Sequence, residues 1–204
     1  MPPTLRAARV TTRPWIAAVA ASVALCTVAC GGSGPGAAEP NEDPFDPLVL
    51  YPLALGNVWS YNIDTGTDMA TLAITRVIAV VGRRIEVSSG GDPAVYDLRP
   101  EGIYQPGTET WLLRRPIRAG AEWPSTGGRT ARVASVSAAV ETPAGAFTGC
   151  VRIEESGGET GQTIRTVYCP NVGPVLVESV TQLELARTPV RVIGRLLGFQ
   201  LAED

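Results

Sequence analysis

The sequence contains no histidine and no lysine, so all 17 of its basic residues are arginine. Without histidine, neither a Ser-His-Asp triad nor a Cys-His pair can form, and histidine-ligated metal centres are excluded. Without lysine, Ser-Lys dyads and Schiff-base chemistry are excluded as well. The sequence therefore lacks the residues on which most nucleophilic mechanisms depend.

Phosphate-binding loops are also missing. The Gly-rich stretch "GGSGPG" (31–36) lies in a polar linker, and "SSGGD" (88–92) lies between strand-like runs with no helix after it. The basic charge is uneven, because three arginines lie in the first 15 residues and every acidic residue lies beyond residue 38. Removing those three leaves 14 basic against 20 acidic groups, a formal charge of −6. An acidic domain is poorly suited to binding nucleic acid.

Carboxylate chemistry is the one enzymatic class that the composition leaves open. Glu86, Glu154 and Glu155 lie in strand-like runs, where charged residues are also expected at outward positions. We therefore interpret the protein as non-enzymatic, with a carboxylate-based hydrolase as an alternative. We expect no cofactor and no metal.

The N-terminus has the pattern of a secretory signal peptide over residues 1–29. Residues 1–15 are positively charged, and residues 16–29 are apolar and small. The apolar run is about fourteen residues, shorter than the ~20 that a membrane-spanning helix requires.

The sequence Thr27-Val28-Ala29-Cys30-Gly31 resembles the lipobox of bacterial lipoproteins, whose cysteine is acylated. The resemblance makes Cys30 the lipidation site, although Thr27 stands where the family usually has leucine. Ordinary secretion and an uncleaved anchor are the alternatives. Cys26 is a second candidate, but Leu25 before it is too large for the small-residue position. Gly31 stands where an aspartate retains some lipoproteins at the inner membrane, so the resemblance favours a periplasm-facing anchor at the outer membrane.

Residues 30–47 are predicted to form a flexible tether, and residues 48–204 a β domain. Four polar or acidic residues of the tether could suggest a calcium loop, but they lack the spacing and central glycine of an EF-hand. We interpret them as a solvated linker; they are Asn41, Glu42, Asp43 and Asp46.

Beyond Leu48, short runs rich in Val, Ile, Thr and aromatic residues alternate at period two between Gly and Pro signals. Trp59, Tyr61 and Ile63 share one face of a predicted strand. In the next run one face is apolar, with Ala70, Leu72, Ile74, Ile78 and Val80. The pattern predicts an all-β fold, an antiparallel sandwich or curved half-barrel, with "RPEG" (99–102) as a tight turn.

One motif, Pro-aliphatic-x-x-Gly-x-x-Trp, occurs twice, first as Pro52, Gly56 and Trp59 and again as Pro116, Gly120 and Trp123. "RIEVSS" (84–89) and "VYDLRPEGIY" (95–104) are echoed in the same order by "RIEESG" (152–157) and "VYCPNVGPVL" (167–176). We infer two similar β units, about 51–105 and 115–180. The doubling favours a structural role for the tryptophans over stacking on a sugar or touching lipid.

The stretches "YPLALGNVWSY", "TPAGAFTGCVRI" and "VYCPNVGPVLVES" resemble a group of uncharacterised secreted and lipid-anchored bacterial proteins that begin with Y-x-P-L-x-x-G-x-x-W-x-Y. The resemblance covers about residues 51–180. It implies a curved antiparallel β domain in the cell envelope and supplies no catalytic residues. Cys169 stands where the group usually has a small residue.

Cys150 and Cys169 flank two strand-like runs around a Gly-rich turn. A hairpin centred on Glu159-Thr160 places the two cysteines opposite each other, pairs Glu154 with Arg165, and also pairs Ile153 with Thr166 and Val151 with Tyr168. Opposed residues lie within disulfide range, and an oxidising compartment favours pairing. Two free thiols or a redox pair are the alternatives.

We therefore expect a lipid-anchored envelope protein that binds a small apolar ligand or lipid, in a cavity between the two repeat halves. The first alternative is an adaptor that binds a partner protein through a sheet edge. In that case the C-terminal run "VRVIGRLLGFQL" (190–201) is either the docking edge or the strand that completes the sheet. The arginines 114, 115 and 118 form a local cluster, either solvated at a strand end or touching anionic lipid.

Overall fold

A computed structural model describes residues 45–67, 69, 71–182 and 188–202. The predicted signal peptide, Cys30 and most of the tether lie outside these residues. The described part consists of one helical turn, α1 (Pro47–Leu50), followed by strands with a short 3-10 turn at Thr126–Gly128. The strands are β1 (Val58–Asp64), β2 (Thr71–Val81), β3 (Arg84–Ser88), β4 (Ala94–Arg99), β5 (Gly102–Gln105), β6 (Thr110–Arg114), β7 (Glu122–Pro124), β8 (Arg129–Thr142), β9 (Gly145–Gly157), β10 (Gln162–Cys169), β11 (Gly173–Thr181) and β12 (Val190–Gln200).

The strands form one sheet in the order β6-β5-β4-β3-β2-β1-β12-β11-β10-β9-β8-β7. Neighbouring strands are antiparallel throughout. The sheet curls into a nearly closed, barrel-like shape. The predicted all-β antiparallel fold is therefore confirmed, as one curved sheet and not as the two layers of a sandwich. The C-terminal run forms β12, which pairs with β1 and β11 and so is not a free edge.

The two edge strands, β6 and β7, approach each other along a seam. Nε1 of Trp123 on β7 donates a hydrogen bond to the carbonyl oxygen of Trp111 on β6, at 3.1 Å. The hydroxyls of Thr110 and Thr126 lie 3.2 Å apart. These side-chain hydrogen bonds connect the two edges of the sheet.

A covering segment, residues 45–53, closes one end of the barrel. In an up-and-down sheet, alternate connections lie at the same end, and the segment contacts three connections of one end. The amide of Asn171 in the β10–β11 turn donates to the carbonyl oxygen of Val49, at 2.7 Å. Asp46 pairs with Arg115 at 2.6 Å, and the amide of Arg115 bonds the β4–β5 turn at Glu101. No helix among the described residues is long and apolar enough to cross a membrane.

The structure corrects the predicted boundary of the tether. Asp46 was assigned to a solvated acidic linker, but its side chain caps α1 by accepting a hydrogen bond from the amide of Leu48, at 2.8 Å. Pro47 occupies the first helical position, which proline favours because its missing N–H needs no partner there. The folded part therefore includes residues that the sequence assigned to the tether.

The predicted apolar face of β2 exists, but it points away from the core. Four residues of that face form an outer stripe with exposed side chains: Leu72, Ile74, Ile78 and Val80, which are 60, 48, 44 and 40% exposed. Ala70 lies outside the described residues. The alternate positions of β2 point inward and carry the smaller residues Ala73, Thr75 and Val77. On β1, by contrast, Trp59 and Tyr61 are buried as predicted.

The hairpin of β9 and β10 has the predicted register. Glu154 lies opposite Arg165, Ile153 opposite Thr166, and Val151 opposite Tyr168. The next step along both strands brings Cys150 opposite Cys169, and a disulfide joins them with their Cα atoms 4.3 Å apart. Both cysteines are buried. The predicted disulfide is present.

Candidate functional site

A cavity of about 300 Å³ lies inside the curved sheet. Its walls come from β1 to β4 in the first half of the chain and from β11 and β12 in the second half. Beside it, buried side chains of the other strands occupy the interior, including Ile103, Leu113, Val133 and Ile153. The cavity therefore lies where the first and last strands of the described part meet.

The cavity exists because the strands around it turn small residues inward. Ala73 on β2 lies opposite Tyr61 on β1, and Gly194 on β12 lies opposite Ile63. A Cβ atom built on Gly194 comes within 3.1 Å of Cδ1 of Ile63, so even alanine would reduce this space. Ala94 on β4 lines the wall as well. Large side chains at these positions would occupy the cavity, as the buried side chains of other strands occupy the interior beside it.

The closed end of the cavity is aromatic. Tyr51, at the end of the covering segment, lines the cavity, and its ring packs edge-on against Trp59 with ring centroids 5.2 Å apart. The ring of Tyr168 lies on another side of Tyr51 at 6.3 Å. The hydroxyl of Tyr61 donates to the carbonyl oxygen of Pro174 at 2.8 Å.

The opposite end of the cavity carries aliphatic hydroxyls. Ser89 follows β3 and is exposed, and its hydroxyl lies 3.0 Å from that of Thr75. Half-buried Ser179 on β11 accepts a hydrogen bond from Nε2 of Gln162 at 2.9 Å. These residues lie towards the β3–β4 and β11–β12 connections, at the end opposite the covering segment. The cavity thus runs from a buried aromatic end to a mouth with hydroxyl groups.

No charged residue lines the cavity among the described residues. Burial raises the pKa of Tyr51, and neighbouring tyrosines raise it further. Burial also raises the pKa of Tyr61 and of Tyr96, the third tyrosine in the wall. Because phenols ionise near pH 10 in water, these groups are neutral at physiological pH. The wall offers apolar surface and neutral hydrogen-bonding groups.

The two repeated motifs form the same local structure. The amide of Gly56 donates to Val77, and the amide of Val77 donates back to Asn57. The amide of Gly120 donates to Val133 in the same way, and the amide of Val133 donates back to Ala121. Gly56 and Gly120 have φ angles of 87° and 83°, a region that glycine enters without steric cost.

Both motif tryptophans lie in the core and outside the cavity lining. Trp59 is fully buried, and its Nε1 donates to the carbonyl oxygen of Val172 at 2.6 Å. Trp123 is 2% exposed and bonds across the seam. Pro52 and Pro116 begin the two turns, and the bond between Arg115 and Pro116 is cis. Neither indole is available to stack on a sugar.

Several carboxylates are paired with arginines away from the cavity. Glu178 is bound by Arg165 at 2.7 Å and by Arg191. Arg165 also pairs with Glu154 at 3.2 Å. The carboxylate of Glu155 accepts a hydrogen bond from Ser125. Among the described residues, no group of three or more His, Cys, Asp or Glu is placed to hold a metal ion.

The predicted arginine cluster is partly engaged. Arg115 pairs with Asp46, and the guanidinium of Arg114 lies 5.4 Å from the ring centroid of Trp111. Two members of the cluster thus have partners within the domain.

The residues that line the cavity were not identified from the sequence. On β2 their signal is the alternation of Ala73 and Thr75 with larger residues, whereas β3 and β11 contribute Val87 and Val177 to the lining. On β2 the sequence pattern assigns a common face to the larger residues, not to the lining residues. The correct assignment needed the position of each strand in the curved sheet.

No family model and no curated protein matches the sequence. Two solved structures resemble the fold. A protein from Bacteroides fragilis, described as exported and as having a YmcC-like fold, is 15% identical with a TM-score of 0.45, over 72% of this chain and 97% of that one. A protein from Parabacteroides distasonis, described as a lipoprotein, is 14% identical with a TM-score of 0.38, over 74% of this chain and 98% of that one.

Proposed function

We propose that the protein is a non-enzymatic binding protein of the bacterial envelope and that its cavity holds a small apolar ligand. The observation that supports this is the cavity of about 300 Å³ between the first and last strands, whose described lining residues are all uncharged. Ligand pockets range from about 300 to 1,000 Å³ and are lined mainly by apolar and aromatic groups. The walls of the cavity come from both halves of the chain, which gives a ligand contacts with the first and the last strands.

Filling the cavity should abolish binding. Ala73→Leu adds three carbon atoms to the wall opposite Tyr61. We expect the full chain to bind the neutral fluorescent probe N-phenyl-1-naphthylamine, and Ala73→Leu to weaken binding at least tenfold. Fluorescence titration measures both.

The matched control is Ala139→Leu, the same substitution at an exposed position of β8. It should bind the probe like the wild type. Equal affinities in Ala73→Leu and Ala139→Leu, with both variants folded by circular dichroism, would overturn the proposal. Native mass spectrometry of the protein from envelope extract then tests for a natural ligand, seen as an excess mass that denaturation releases.

We propose that Cys30 anchors the protein to the outer membrane, facing the periplasm. The support is the sequence alone, since residues 1–44 lie outside the described part. An alkyne fatty acid fed to expressing cells should label the wild type and Cys26→Ala but not Cys30→Ala. If Cys26→Ala loses the label and Cys30→Ala keeps it, the assignment of Cys30 is refuted. Separation of the inner and outer membranes then locates the labelled protein.

An adaptor role is the second candidate, and the outer stripe of β2 favours it. Its four exposed aliphatic side chains lie on a strand face, next to a shallow groove lined by Leu72 and Leu197. Such patches often mark sites of protein contact. A photocrosslinking amino acid at Ile74 should give one discrete adduct in cells if the face binds a partner. The photocrosslinking amino acid at position 139, in place of Ala139, is the control. If position 74 gives no adduct, or only the adducts that position 139 gives, docking on this face is contradicted.

A further inference from the structure

The polar groups of the cavity are distributed unevenly between its two ends. At the closed end, Tyr51 and Tyr61 are 5% and 7% exposed. At the mouth, the hydroxyls of Thr75, Ser89 and Ser179 lie on partly or fully exposed residues. A ligand that matches this distribution has an apolar tail at the closed end and a polar head at the mouth.

The charge of that head is restricted by what surrounds it. Among the described residues, no arginine lines the cavity. The arginines of β10 and β12 pair with carboxylates: Arg165 and Arg191 with Glu178, and Arg195 with Asp64. The loop after Ser89 carries the exposed acid Asp92. A carboxylate or phosphate that enters the cavity would lose hydration without gaining an opposite charge from the described residues, which is unfavourable.

Size restricts the ligand further. A cavity of about 300 Å³ lies at the lower end of the range for ligand pockets. A cavity of this size suits a ligand with one short alkyl chain better than a lipid with two acyl chains. The hydroxyl pair of Thr75 and Ser89 can both donate to and accept from a neutral head group.

We infer that the cavity selects uncharged, single-chain amphiphiles, such as a fatty alcohol or monoacyl ester, over fatty acids and other anionic lipids. This inference rests on the proposed function of the cavity. It goes beyond that proposal because it names the head-group class and the direction in which the ligand lies. The tail contacts Tyr51 and Tyr61, and the head contacts the hydroxyls of Thr75, Ser89 and Ser179.

The test is competition between two ligands of equal chain length. The full chain is loaded with N-phenyl-1-naphthylamine at pH 8 and titrated with 1-decanol or with decanoate, which is ionised at that pH. Decanol should displace the probe at a concentration at least tenfold lower than decanoate. Ser89→Arg, which places a cation at the mouth, should reduce this preference severalfold, and Ser137→Arg on an exposed position of β8 should leave it unchanged.

The outcomes separate the two proposals. If the probe does not bind, the proposed function is wrong and this inference is overturned with it. If the probe binds and decanoate competes as well as decanol, the inference is overturned while the binding function stands. Failure of both competitors to displace a bound probe also overturns it. A preference for decanol that Ser89→Arg reduces and Ser137→Arg does not supports it.

Discussion

The packing of Trp59 against the start of β11 depends on Gly173. Gly173 begins β11 with a φ of 108°, and a Cβ atom built on it would lie 2.8 Å from Nε1 of Trp59. Trp59 is fully buried and holds the β10–β11 turn through Val172. The position therefore combines a backbone conformation that favours glycine with no room for a side chain.

Gly173→Ala should be strongly destabilising. We expect the free energy of unfolding to fall by about 2–4 kcal/mol, because backbone strain and overpacking add together. Gly107→Ala is the control, since a Cβ atom there meets nothing within 4 Å and φ is not positive. It should change stability by no more than about 0.5 kcal/mol. Urea titration of both variants tests this, and similar losses would contradict it.

The buried tyrosines predict how stability depends on pH. Burial raises the pKa of Tyr51, Tyr61, Tyr96 and Tyr168. Above pH 10 these groups ionise in the unfolded state, whereas in the folded state they keep their protons to higher pH, so the folded state binds more protons there. The free energy of unfolding should then fall by about 1.4 kcal/mol per pH unit for each such tyrosine.

Between pH 6 and 9 stability should be constant. The sequence has no histidine or lysine, and Cys150 and Cys169 are joined, so no side chain in the described part has an ordinary pKa there. Urea titrations from pH 6 to 11.5 measure the profile. Tyr96→Phe should make the alkaline decline shallower, and a flat profile to pH 11.5 would refute the assignment.

Among the elements, the β9–β10 hairpin was the most predictable. Its Gly-rich turn, the two cysteines and the opposite charges of Glu154 and Arg165 all favour one register, and the structure has it. The face of β2 was not predictable in the same way. Alternation indicates which residues share a face, but either face of a strand in a hollow, curved sheet can carry the larger residues.

Removing the disulfide should destabilise the domain. It joins residues 19 positions apart, and loop-closure entropy predicts a loss of about 3 kcal/mol in Cys150→Ala/Cys169→Ala. Cys26→Ala/Cys30→Ala is the matched control, with two cysteines replaced in the predicted signal peptide and anchor. Its urea midpoint should equal that of the wild type. A loss below 1 kcal/mol in the first variant would contradict the expected contribution.

In the whole molecule, the sequence echoes fall on strands six positions apart. The tryptophan motif leads into β1 and β7, "RIEVSS" and "RIEESG" lie on β3 and β9, and the third echo spans β4–β5 and β10–β11. Each half also contains two strands that carry no echo, β2 and β6 in the first half and β8 and β12 in the second. This spacing agrees with the inferred duplication, which stays a prediction.

The pairing of β1 with β12 has a consequence for how the chain acquires its shape. A chain made from its N-terminus presents β1 first, but one neighbour of β1 is the last strand to be made. Until then β1 has a bare edge, and such edges are prone to pair with other chains. Contacts between distant parts of a sequence also form slowly. The cavity, whose walls come from β1 to β4 and from β11 and β12, is therefore complete only when the last described strand has paired with β1.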